Sequence, residues 1–234
     1  MKGKLYLIPN VLDQGRPEHV ISAKNLDLVR SLDFFIVEEE KAARAFLARI
    51  GMRDRLDTID WAMLNEHTRQ KELMDLLIPV IQGRSAGLLP EAGCPGVADP
   101  GADLVRMAHE LDIEVFPLTG PSSVILALMA SGLNGQSFAF NGYLPVKQPL
   151  RIRRIRELES LVKRNNQTQI FIETPYRNLQ LFNDLVNTLD PALSLCIAAE
   201  LTGDGAWIKT ASIGFWKSQS PDIHKRPVVF VIGQ

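Results

Sequence analysis

Short apolar runs alternate with longer stretches of helical period through the first half of this chain, and that alternation leaves few ways for it to fold. Residues 5–8, 34–37, 86–89 and 114–116 read as strands. Ser22 is placed to cap a helix running to residue 32, with Ala23, Leu26, Val29 and Arg30 near helical spacing. Further helices are expected over 41–50, stopped by Gly51, over 65–81 with Leu73, Leu76, Leu77 and Val80 as the buried stripe, and over 103–111. Strands separated by helices pair in parallel, and the helices cross over the sheet faces. The fold class predicted is α/β.

After a loop at 117–121 and an apolar helix over 122–131, the order changes. Strands are expected at 138–141, 168–172, 194–200, 207–212 and 228–232, with helices at about 150–162 and 177–189 between the first three. The later strands stand closer together, which predicts antiparallel pairing. Two lobes follow: an N-terminal α/β lobe over 1–117 with a mainly parallel sheet, and a C-terminal α/β lobe over 118–234 with a mixed one.

The formal net charge of −1 argues neither for nor against a nucleic-acid partner, so local patches have to be read. Cys94 and Cys196 stand far apart and in no Cys/His cluster, so neither a metal site nor a disulfide framework is expected. The apolar run at 5–8 is too short for a signal-peptide core, and no run approaches a membrane span, so a soluble, cytoplasmic protein is expected. There is no P-loop motif and no G-x-S-x-G elbow. No G-x-G-x-x-G follows the first strand, where Ile8-Pro9-Asn10 stands instead.

Chemistry concentrates in two loops. Leu89-Pro90-Glu91-Ala92-Gly93-Cys94-Pro95-Gly96-Val97-Ala98-Asp99-Pro100-Gly101 joins a buried strand to a helix. Its three glycines and three prolines make a rigid loop whose backbone can approach a ligand, at the strand end where open α/β sheets bind theirs. A tight structural turn is the plainer alternative. Leu118-Thr119-Gly120-Pro121-Ser122-Ser123-Val124 also follows a strand and opens a helix, where Ser122 or Ser123 can cap or bind. A third feature is residues 147–164, with seven Lys or Arg against Glu157 and Glu159. Arg151, Arg153, Arg154 and Arg156 crowd its first turns, either as a phosphate-binding patch or as a solvated helix face.

Glu91 to Gly101 resembles the [SD]-A-G-T-P-x-[IV]-S-D-P-G signature of the ribosomal RNA small-subunit 2′-O-ribose cytidine methyltransferases, within the tetrapyrrole methylase superfamily. The resemblance continues in order. Pro117 to Ser123 is similar to P-L-P-G-P-[CS]-[AS], and Ala130-Ser131-Gly132-Leu133, Phe138 and Gly142-Tyr143-Leu144-Pro145 to S-G-L…F…G-F-L-P. Phe171 to Arg177 resembles F-Y-E-S-x-H-R, and Ala199-Glu200-Leu201-Thr202 resembles R-E-L-T. Glu39-Glu40-Lys41 stands for the family's E-D-T-R, and Tyr176 for its H. Of the family's first-loop T-P-I-G-N only Pro9 and Asn10 remain.

The resemblance implies a two-lobed tetrapyrrole-methylase-like fold with S-adenosylmethionine in the cleft between the lobes. Pro9, Glu91, Ala92, Gly93, Cys94, Ser122 and Ser123 would line the cofactor, with Glu173, Thr174, Ala199, Glu200 and Leu201 closing the pocket. Leu201 reads equally well as core. An oxygen nucleophile must lose a proton as it attacks, and Glu40, Glu91, Asp99 and Glu173 are the candidate bases. His67, in Asn65-Glu66-His67, faintly resembles the family's H-x-N-E and reads first as a surface histidine. The implied partners are ribosomal RNA or the small ribosomal subunit and a second copy of the chain. The rivals are a methylase of a tetrapyrrole or other small molecule, and a non-catalytic cofactor- or RNA-binding module.

Overall fold

The computed structural model describes residues 1–13, 15–65 and 68–234. The chain divides into two compact units, Met1–Ser122 and Ser123–Gln234.

The first unit holds a sheet of β1 (Lys4–Leu7), β2 (Phe34–Val37), β3 (Asp60–Met63), β4 (Ala86–Leu89) and β5 (Glu114–Pro117). Their order is β3-β2-β4-β1-β5, and every pairing is parallel. Because side chains alternate across a strand, each strand feeds two cores. Phe35, Val37 and Leu89 pack on one face against α1 (Ala23–Ser31) and α2 (Glu40–Leu47). Phe34, Ile36 and Leu88 pack on the other against α3 (Gln70–Ile81) and α4 (Gly101–Glu110). The Ser22 hydroxyl accepts from the Asn25 N–H at 3.3 Å and starts α1, as its capping chemistry requires.

Three details depart from expectation. The helix expected over 41–50 ends as α2 at Leu47, and a wider turn over Ala48–Met52 follows, with Gly51 left-handed at φ +88°. The α3 helix begins at Gln70, where the Arg69 N–H donates to Glu72 Oε2 at 2.8 Å. β3 is an unforeseen strand, exposed at Asp60 and Met63, so it lacks the buried run that betrays its neighbours.

The second unit opens with α5 (Ser123–Ser131) and contains β6 (Phe138–Tyr143), α6 (Gln148–Asn165), β7 (Thr168–Ile172), α7 (Asn178–Thr188), β8 (Ser194–Ala199), β9 (Trp207–Ser212), α8 (Ile213–Trp216) and β10 (Val228–Gly233). The sheet order is β6-β7-β10-β8-β9. β6 and β7 pair in parallel, while β10 runs antiparallel to both β7 and β8, and β8 to β9, giving the mixed sheet expected. The charged α6 is held by Ile155, Leu158 and Val162, each fully buried. Their burial, at about 1.5–3 kcal/mol apiece, anchors the helix while its charged outer face stays in water. The four-residue α8 is too short to show a period; Ser212 caps it, and Trp216 Nε1 donates to the Leu195 carbonyl at 2.9 Å. No helix among the described residues is long and apolar enough to cross a membrane.

Candidate active site

Parallel pairing brings the carboxyl ends of all five first-unit strands to one edge. β1 and β4 are neighbours there, but their connections leave in opposite directions. The chain from β1 crosses toward β2, and the chain from β4 crosses toward β5. Open α/β sheets bind their ligands beside such a reversal. Asn10, 2% exposed, ties the loop after β1 to the loop after β4. Its N–H donates to the Gly93 carbonyl at 2.8 Å and its carbonyl accepts from the Gly93 N–H at 3.2 Å. Its side-chain amide donates to the carbonyls of Pro90 and Glu91 at 3.1 and 2.8 Å. The sequence marked Asn10 only as a remnant of a motif; here it is a buried strut.

The loop between β4 and α4 turns through left-handed Gly93 (φ +71°), Gly96 (φ +77°) and Ala98 (φ +62°). Asp99 Oδ1 accepts from the N–H groups of Gly96 and Gly101 at 2.8 and 2.7 Å, so this carboxylate holds the turn. Glu38, the first polar residue after β2, accepts the Glu91 N–H at 3.1 Å through Oε2. Burial pushes the Glu38 acid above its usual range. The Glu91 N–H opposes that shift, and the charges of Asp99 and Glu91 add to it. Burial likewise raises Asp99 against its two backbone donors, and raises the Cys94 thiol, which donates to the Pro121 carbonyl at 3.4 Å. Glu38, Asn65, Thr68, Ala98, Asp99 and Asp103 are among the residues lining an open hollow of about 570 Å³.

Of the candidates, Pro9, Glu91, Ala92, Gly93, Cys94, Asp99 and Ser122 come together on this edge. Ser122 is the last residue of its unit and Ser123 opens α5. Glu40 begins α2, and its carboxylate receives Arg44 Nε at 2.7 Å. Sequence reasoning passed over Glu38, and the signal for it was position: the first carboxylate beyond a wholly buried strand. His67 lies outside the described residues. Among the described residues no three His, Cys, Asp or Glu side chains are grouped to hold a metal ion.

The loops pack on each other as well as on the sheet. A Cβ at Gly120 would fall 2.2 Å from Cγ of Pro9. Gly120→Val is therefore expected to lower stability by about 1–3 kcal/mol, as overpacking does. Gly135→Ala, whose Cβ meets nothing within 4 Å, is expected to stay within about 0.5 kcal/mol of the parent. Urea titrations of both variants check this, and equal midpoints would show that the loop yields freely.

In the second unit β6, β7 and β8 share a carboxyl edge because β10 runs antiparallel between β7 and β8. Glu173 and Thr174 follow β7, Ala199 ends β8, and Glu200 and Leu201 come next. The Glu173 side chain is 1% exposed. Its Oε1 accepts from the Thr174 N–H at 2.7 Å and from Arg177 Nη2 at 2.6 Å. Its Oε2 is buried with no partner among the described residues, as is Arg177 Nε. Glu200 is left-handed at φ +48° and pairs with Arg226 Nη2 at 3.0 Å, while Leu201 is buried.

The basic segment needs one correction. Arg151, grouped by sequence with the surface cations of α6, is 1% exposed. Its Nε and Nη2 reach Asp184 Oδ2 at 2.7 and 2.6 Å, and Nη1 donates to the Val146 carbonyl at 2.6 Å. It lies four, seven and eleven residues before Ile155, Leu158 and Val162, on the core stripe.

No family model matches the chain. It is 29% identical over 234 residues to "Ribosomal RNA small subunit methyltransferase I" of Escherichia coli O157:H7, covering 99% of this chain and 78% of that one. To the protein of the same name in Vibrio cholerae serotype O1 it is 32% identical over 198 residues, 85% of this chain and 65% of that one. The solved structure of the methyltransferase CobJ superposes with a TM-score of 0.66 at 16% identity, covering 99% of this chain and 94% of that one, a likeness of fold.

Proposed function

The chain is a divergent relative of the ribosomal RNA small subunit methyltransferase I proteins over nearly its whole length, and from that premise we propose that it methylates a ribose 2′-oxygen of small-subunit ribosomal RNA with S-adenosylmethionine. One observation carries the reading: the residues that bear the motif resemblance, 91–101, follow β4 at the carboxyl edge of the parallel sheet, where Ala98, Asp99 and Pro100 line the open hollow beside Glu38. A tetrapyrrole or other small-molecule methylase shares this fold, but the named relatives spanning the chain act on ribosomal RNA.

The residues present suit the cofactor. Left-handed Gly93 and Gly96 leave backbone bare of side chains where a ligand can approach. The orphaned Glu173 Oε2 is a buried acceptor suited to a hydroxyl or ammonium group. S-adenosylmethionine supplies a methyl group on a sulfonium centre. Pro9, Glu91, Ala92, Gly93, Cys94, Ser122 and Ser123, with Glu173, Thr174, Ala199, Glu200 and Leu201, are assigned to holding it. For proton removal we favour Glu38, whose raised acid lies nearer the working pH than an ordinary carboxylate. Asp99 and Glu91 tune it by charge. Glu40 is engaged by Arg44, and Glu173 by Arg177. We assign the protein to the cytoplasm, as a homodimer.

The test is calorimetry of S-adenosylmethionine binding in metal-free buffer, followed by transfer of a labelled methyl group to small ribosomal subunits and their RNA. Binding without metal and label on a ribose oxygen are expected. No label at any stage of subunit assembly, or label on a small molecule alone, would overturn the assignment.

A further inference from the structure

The core stripe of α6 leaves the opposite face of the helix outward. Arg153, Arg156, Ser160 and Arg164 recur there at intervals of three, four and four, which is one helical face. At 1.5 Å per residue the line from Arg153 to Arg164 runs about 16 Å. Arg154 flanks it, with Nη2 on Asn141 Oδ1 at 2.9 Å. Among these four guanidinium groups stands one carboxylate, Glu157, which reaches Arg153 and Arg154 alone, at 3.3 and 3.2 Å.

The acids nearby serve another residue. Lys163 is taken by Glu159 at 3.0 Å and by Asp190 at 2.7 Å. Arg156 and Arg164 pair with no carboxylate among the described residues. A helix face that was merely solvated would carry acids and bases in comparable number, spaced to pair. Here a chain of net charge −1 gathers four arginines on one face with a single acid among them. Arginine, with a planar fork of donors, suits phosphate oxygens better than lysine does.

We propose that this outer face of α6 docks the phosphodiester backbone of the RNA acceptor, gripping it without regard to base sequence; this rests on the reading of the chain as an RNA methyltransferase. Backbone contacts of this kind fix register and orientation. Arg151 takes no part, being turned into the core.

The variant Arg153→Gln/Arg156→Gln/Arg164→Gln keeps helix propensity and alters only outward side chains. The probe is small-subunit ribosomal RNA transcribed in vitro, titrated at several salt concentrations. For the parent, affinity should fall steeply with salt. The variant should bind at least tenfold more weakly at low salt, with a log–log salt slope shallower by about 2, from three contacts at ~0.7 each on single strands. Its S-adenosylmethionine affinity should match the parent's, which also reports that it is folded. Lys163→Gln, whose charge is already paired, should bind RNA like the parent.

Parental affinity and slope in the triple variant would overturn the proposal, as would a parent that binds no RNA. Loss of binding to assembled subunits with unchanged binding to naked RNA would mean that the face meets a protein, and overturns it too. A parent that binds RNA through these arginines yet transfers no methyl group would refute the proposed reaction and leave the docking surface standing.

Discussion

Glu38→Gln is expected to lower methyl transfer by about 10²-fold or more, the usual contribution of a positioned general base, while S-adenosylmethionine affinity is retained. Glutamine keeps an oxygen to accept the Glu91 N–H, so the loop stays in place. Stability should move the other way. Burial raises the Glu38 acid above 4.5, so the folded protein binds that proton more tightly than the unfolded chain does. Stability then falls as pH rises from about 4.5 through the folded-state value, and above it the ionised carboxylate is a standing cost. Glutamine removes that cost. The variant should unfold at a higher temperature than the parent at neutral pH and match it in acid. In the parent, transfer should rise with pH across the same window as the base ionises. Undiminished activity in Glu38→Gln would assign the proton to another group.

Arg151→Ala is expected to destabilise the protein by about 3–5 kcal/mol, because it strands Asp184 as a buried charge. Asp184 is 5% exposed, and its remaining donor is Gln148 Nε2 at 2.8 Å. Asp184→Asn should be nearly as damaging from the other side. Replacing both, as Arg151→Met with Asp184→Leu, should recover most of the loss, since a packed apolar pair escapes the desolvation penalty. Arg153→Ala, two residues away and 80% exposed at the side chain, should change stability by no more than about 0.5 kcal/mol. Urea midpoints for the four proteins decide it. A mild Arg151→Ala would mean that the pair contributes little.

The contrast between Arg151 and Arg153 bears on what the sequence can disclose. Counting cations between 147 and 164 merges them, whereas following the period from Ile155, Leu158 and Val162 back to 151 separates them. β2 and β4 were legible because all four residues of each are buried, leaving an unbroken apolar run. β3 was not, because an edge strand with Asp60 and Met63 exposed carries no such signal. The motif loop was legible as a loop at a strand end, with Gly93 and Gly96 where positive φ is required. The partners that shape it were not. Glu38 and Asn10 reach residues 53 to 83 positions away, a separation no local pattern encodes.

β10 follows every other strand of the second unit in chain order, yet it occupies the middle of that sheet. While the chain is being made, β6 with β7 and β8 with β9 can form only two separate ribbons, each presenting an unpaired edge. Those edges are apolar on both sides: Ile170 and Phe171 on one, Cys196 and Ile197 on the other. Edges of that kind recruit strands from neighbouring molecules. Folding of this unit is therefore gated by emergence of its final strand.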